Sequence, residues 1–160
     1  MSADGQYANG PVVVGASYTS VSNVIPDASG VPNGKSQLWQ LFGSYNFGVA
    51  KVSGLYERET NDYAVPTAKH YMLGLTVPVG PGSILASYNY LDNGAADGTA
   101  KQYAIGYTYS LSKQTDLYAS YAHISNGANT AFAVGSSTDS FSGVAGQSSS
   151  GMAIGIRHMF

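Results

Sequence analysis

Side chains that alternate apolar and polar at every second residue leave a segment one regular structure that can sort them, the β-strand, whose successive residues point to opposite faces. This chain of 160 residues shows that alternation in segment after segment. In the last, Met152, Ile154, Ile156, His158 and Phe160 form a mostly apolar set, while Gly151, Ala153, Gly155, Arg157 and Met159 form a mostly small set carrying one charge. An alternation that runs onto a terminal aromatic is unusual for a soluble protein, whose ends tend to be polar and frayed.

Eight such segments recur at about 20-residue spacing, near residues 11–20, 37–47, 49–59, 69–79, 83–92, 101–111, 115–124 and 151–160. Gln6, Tyr7 and Ala8 read as the tail of an earlier strand. In the seventh segment the phase is set by Asp116, which must avoid the apolar face and so places Leu117, Ala119 and Tyr121 on it. The connections alternate. Asn9-Gly10-Pro11, Gly48, Gly80-Pro81-Gly82 and Ser112-Lys113-Gln114 are tight turns, whereas 21–35, 60–67, 93–99 and 125–147 are polar Gly/Asn/Asp/Ser loops. Strands of about 10 residues match a tilted crossing of a bilayer. Short turns on one side and long loops on the other is the asymmetry of outer-membrane barrels.

Composition narrows the class further. Charged residues make up 10%, against roughly a quarter in ordinary soluble domains, and 13 Tyr and 20 Gly are present. A net charge of -2 offers no basic footprint for nucleic acid. No run approaches the roughly 18 apolar residues of a membrane helix, and the absence of Cys removes disulfides and thiolate metal sites. Residues 1–7 carry no basic, apolar or cleavage region of a signal peptide. The expectation is that such a leader has been removed or that the chain is part of something longer.

Alternation alone also fits a soluble up-and-down barrel, and the aromatics separate the two. With strands oriented from the long-loop side, Tyr18, Trp39, Tyr56, Tyr71, Tyr88, Tyr90, Tyr103 and Tyr121 fall near the long-loop end of the apolar face. Tyr45, Phe47, Tyr109 and Phe160 fall near the short-turn end, and Val14, Leu41, Val52, Leu73, Leu75, Ile105 and Ile154 lie between. Two aromatic bands flanking an aliphatic band form the girdle of a lipid-facing surface, because phenol and indole rings favour the headgroup region. β-Propensity explains many tyrosines but not their stratification.

The opposite face carries Lys51, Glu57, Glu59, Asp116 and Arg157, placed to line an aqueous lumen. Glu57 and Glu59 are spaced as a hydrolytic carboxylate pair could be, but a polar lumen accounts for both. His70, His123 and His158 are too scattered for a metal site. Neither a cofactor nor an enzymatic activity is expected.

The stretches Tyr7-Ala8-Asn9-Gly10-Pro11-Val12, Tyr107-Thr108-Tyr109-Ser110-Leu111-Ser112-Lys113-Gln114-Thr115-Asp116-Leu117-Tyr118 and Gly155-Ile156-Arg157-His158-Met159-Phe160 resemble the Gram-negative general porins, in particular the β-proteobacterial type. The resemblance covers essentially the whole chain but only the C-terminal half of the family's 16-stranded, trimeric barrel. It implies an outer-membrane location, passive diffusion of small hydrophilic solutes and ions, and contact with membrane lipids and lipopolysaccharide. It also implies recognition of the final strand by the barrel-assembly machinery, a signal that Phe160, His158, Ile156 and Ile154 match. The family's constriction loop and most of its trimer contacts belong to early strands, so neither can be assigned to residues of this chain.

The expected fold is therefore all-β: an antiparallel up-and-down transmembrane β-barrel, one segment spanning 1–160, with eight strands forming the second half of a 16-stranded porin barrel. The competing expectation is a small closed eight-stranded barrel, filled by side chains, with a structural or loop-mediated binding role. A third, adhesion through the long loops, would centre on residues 125–147.

Overall fold

The structure, a computed structural model, describes residues 1–26, 32–62, 66–135 and 143–159, with backbone alone at 23–26 and 32–33. Among the described residues nine strands form one sheet: β1 (Ser2–Asn9), β2 (Val12–Pro26), β3 (Pro32–Asn46), β4 (Lys51–Asn61), β5 (Ala68–Val79), β6 (Gly82–Asp92), β7 (Thr99–Ser110), β8 (Thr115–Asn126) and β9 (Ser149–His158). Each is antiparallel to its sequence neighbour, in the order β1 to β9, with β1 and β9 at the two edges.

Two expectations change. The count is nine strands rather than eight, because the supposed tail at Gln6–Ala8 is the end of β1, which pairs with β2 from Ser2↔Thr19 to Asn9↔Val12. The long loop expected over 21–35 is mostly strand, since β2 and β3 stay paired to Pro26↔Pro32, with irregularities after Ser22. Those segments lack apolar alternation, and their backbone groups are satisfied by the neighbouring strand regardless of side chain. Elsewhere the predicted strand ends lie within about two residues of the observed ones.

The tight turns show why register is firm at that end. Gly10-Pro11 and Gly80-Pro81 each form a two-residue hairpin loop, with φ of 54° at Gly10 and 57° at Gly80. A positive φ at the first central residue followed by proline's fixed negative φ is the type II′ pattern, whose twist matches the flanking strands. At Phe47–Ala50 the turn closes by a 2.8 Å hydrogen bond from the Phe47 N–H to the Ala50 carbonyl.

Register places each side chain on one of two faces. On the apolar face, neighbouring strands bring aromatic rings together near the long-loop end: Tyr18 and Trp39 with centroids 4.5 Å apart, Tyr56 and Tyr71 at 5.1 Å, Tyr71 and Tyr90 at 6.1 Å, and Tyr88 and Tyr103 at 5.0 Å. Near the turn end Tyr45 lies 4.5 Å from Phe47. Between them Leu41, Leu73, Ile105 and Ile154 stand open. Among the described residues, Ala100 and Ile124 are the only buried apolar side chains, so the sheet has no core of its own in the soluble sense. Among the described residues no helix is long and apolar enough to cross a membrane; the membrane-length elements are the strands.

Candidate functional site

The face opposite the aromatics is stratified in rows running across the strands. One row consists of Ser44, Ser53, Gly74, Ser87, Ala104, Ala122 and Gly151, each the direct partner of the next from β3 to β9. Every one of these side chains is small. The trough over the middle of this face, about 550 Å³, is floored by Ser53, Gly74, Ser87, Ala104 and Gly106. The larger side chains of this face are laid over glycines: the Phe42 ring covers Gly15 and the Tyr118 ring covers Gly155, each too close to admit a Cβ.

Toward the long-loop end lies a polar ladder. Ser17, Gln40, Glu57 and His70 are successive cross-strand partners from β2 to β5. The Ser17 hydroxyl donates to Gln40 Oε1 at 2.6 Å, Gln40 Nε2 donates to Glu57 Oε1, His70 Nδ1 lies 2.6 Å from Glu57 Oε2, and His70 Nε2 lies 3.2 Å from Asn89 Oδ1. Five strands are thereby tied by side chains as well as backbone. Glu57 sits between a donor amide and an imidazole, a geometry that holds its carboxylate rigid. One step further up, Ser36 Oγ donates to Glu59 Oε1 at 2.8 Å. The Phe132 segment bends back over this end: Asn126 and Phe132 exchange hydrogen bonds of 2.8 and 2.9 Å, and Val134 packs on Gly151. Leu38, Leu91, Ile124 and Phe132 thus wall a cleft of about 430 Å³ that Glu57, Glu59 and His70 also line.

At the short-turn end Asp116 and Arg157 are direct partners, with Arg157 Nη2 2.6 Å from Asp116 Oδ2, and the Ser110 hydroxyl donates to the other oxygen at 2.8 Å. The five charged residues singled out from sequence therefore share one face but form no single cluster. Glu57 and Glu59 lie at one end, Asp116 and Arg157 neutralise each other at the other, and Lys51 opens β4 in register with Asn46 and Thr76. Ile154, Ile156 and His158 lie on the apolar face of edge strand β9, where His158 Nδ1 is 2.9 Å from Thr115 Oγ1; Phe160 lies outside the described residues. Gln40, His70 and Asn89 were not foreseen as parts of the ladder, although the alternation already put His70 on the face of Glu57. Among the described residues, no three His, Asp or Glu side chains come together as a metal site.

The sequence matches the Gram-negative porin family over residues 1–130. The chain belongs to that family. This porin is 33% identical over 159 residues to outer membrane porin protein 32 of Delftia acidovorans, a match covering 96% of the chain and 44% of that protein. It is 28% identical to an outer membrane porin protein of Bordetella pertussis, covering 97% of the chain and 44% of that protein. The porin thus spans about half the length of the curated relatives it matches. In structure it resembles the anion-selective porin from Comamonas acidovorans, with a TM-score of 0.80, 32% identity, and coverage of 97% of this chain and 47% of that one. It shares its fold with the trimer form of OmpT from Vibrio cholerae, at a TM-score of 0.69 and 17% identity over 96% of this chain and 53% of that one. The porin is an outer-membrane protein, and its relatives are channel proteins rather than known enzymes.

Proposed function

We propose that this chain supplies part of the wall of a water-filled channel through which small hydrophilic solutes and ions diffuse passively, without catalysis. The observation that carries the reading is the unbroken row of Ser, Gly and Ala from Ser44 to Gly151 on the face away from the aromatics. A barrel filled by its own side chains needs bulk at that depth, whereas a channel needs its absence. The pairing order, with β1 and β9 at opposite edges, also runs against a small barrel closed within the described strands. Lys51, Glu57, Glu59, Asp116 and Arg157 line the lumen in this reading and bias ion passage from its two ends.

The lumen face presents Asp4, Glu57, Glu59 and Asp116 against Lys51 and Arg157. An anion preference like that in the description of the Comamonas relative would therefore rest on charges other than these. Contact with membrane lipids and lipopolysaccharide, homotrimer formation, and delivery by the barrel-assembly machinery belong to the same reading. The edge position of β9, with Ile154, Ile156 and His158 on its lipid-side face, supports the last, since an edge strand presents backbone groups for pairing.

Planar-bilayer recording of the purified protein tests the channel. Stepwise conductance is expected, and Ser87→Trp, which puts an indole into the row of small side chains, reduces the step. Electrical silence alongside an intact β spectrum overturns the reading.

A further inference from the structure

The outward face carries charges of its own, set apart from the proposed lumen by strand register. The carboxylates partnered on the lumen face are Asp116, in an ion pair with Arg157, and Glu57, hydrogen-bonded to His70. On the other face Arg58 and Lys69 are direct cross-strand partners, and Lys101 is the partner of Tyr90. Register ties these cations to the long-loop aromatic belt. Arg58 continues the row of Tyr18 and Trp39, and Lys101 continues the row of Tyr56, Tyr71 and Tyr90. Like charges set directly opposite one another destabilise a sheet. The nearest acid in the row, Asp92, is the partner of Lys69 but turns its carboxylate to the Gly94 N–H at 2.8 Å, as part of the β6–β7 loop, and forms no ion pair with the lysine. Three cations therefore stand unneutralised at the depth where the rings mark the boundary between hydrocarbon and headgroups.

We propose that Arg58 and Lys69, flanked two strands further along the belt by Lys101, form a binding site for the phosphate group of an anionic lipid headgroup in the leaflet on the long-loop side. This rests on the reading of the aromatic face as lipid-facing. A phosphate monoester offers the oxygens to bridge Arg58 and Lys69, turning their repulsion into two charge-assisted contacts. The lipid's acyl chains would descend over Trp39, Tyr71 and Leu73, which are exposed and outward. The site thus selects a lipid by its headgroup rather than by its hydrocarbon, and it lies on strands β4, β5 and β7, away from both sheet edges.

Trp39, the sole tryptophan and the direct partner of Arg58, reports on the site. The full chain is folded into vesicles containing either brominated phosphatidic acid or brominated phosphatidylcholine, and quenching of Trp39 fluorescence is titrated. An approximately tenfold preference for the phosphatidic acid is expected, set by the attraction of clustered cations near an anionic surface. It should shrink toward unity in the Arg58→Gln/Lys69→Gln/Lys101→Gln variant with its β spectrum intact, and in the unaltered protein as salt is raised. Equal quenching by both lipids, or a preference that survives both the substitutions and the salt, overturns the site while leaving the lipid-facing surface intact. Absence of quenching by either lipid overturns the lipid-facing reading itself, and the site with it.

Discussion

On the apolar face, Met152 and Ile154 leave 76% and 74% of their surface uncovered, while on the opposite face the side chains of His70 and Glu57 are only 27% and 23% exposed. A soluble protein has these proportions reversed. The difference shows that the two faces are finished by different partners. Backbone pairing fixes the sheet, side-chain hydrogen bonds and small residues shape one side of it, and on the proposed reading the other side is completed by lipid. On that reading hydrophobic stabilisation comes from matching a bilayer, not from excluding water by the chain's own folding.

Adjacent residues on β7 provide the sharpest way to break that comparison. Ile105→Arg should cost about 2–4 kcal/mol in urea titrations of protein folded into bilayers, because it sets a cation in the lipid-facing band. Ala104→Arg, one residue away and above the trough, should change stability by less than about 0.5 kcal/mol, while narrowing the conductance step. Equal effects at the two positions would show that the faces are not distinguished by their solvent.

Next in size is the ladder. Glu57→Ala removes the acceptor shared by Gln40 and His70 and should lower stability by about 1–3 kcal/mol in the same titration, the range for stranding partly buried polar groups. Glu57→Gln, which keeps one acceptor oxygen, should recover part of that loss. Gly80→Ala places a Cβ at a positive φ and should cost about 1 kcal/mol. Smallest in stability is Asp116→Asn. It leaves Arg157 uncompensated at the turn end of the proposed lumen, so its effect should be read as a reversal-potential shift toward anions under a salt gradient, with the unfolding midpoint essentially unmoved.

The two faces were legible from sequence because alternation is local: Tyr103, Ile105, Tyr107 and Tyr109 declare one side of β7 without reference to any other strand. The turns were legible for the same reason, since Gly-Pro dictates its own geometry. What sequence withheld was register between strands joined by loops. Glu57 and His70 are 13 residues apart across the loop between β4 and β5, and nothing local says which residue of one strand meets which of the other. The row of small residues was hidden likewise, because Ser53, Gly74 and Ser87 look ordinary singly and form a row only once the strands are aligned. In sequence β1 shows only its end, because Ser2, Ala3, Asp4 and Gly5 carry no apolar alternation; pairing with β2 is what defines the strand.

The Gly-Pro hairpins carry a consequence for how such a chain can change length. A turn of two residues acts as a reading frame for the strand that follows. One residue inserted between Asn9 and Val12 would invert every later side chain of β2, sending Val12, Val14 and Tyr18 to the polar face and Ser17 and Thr19 to the apolar one, unless a bulge absorbed it. The connection between β8 and β9, residues 127–148, has no such frame to keep. Insertions and deletions among close variants of this chain should therefore accumulate on one side of the membrane and be nearly absent from the other.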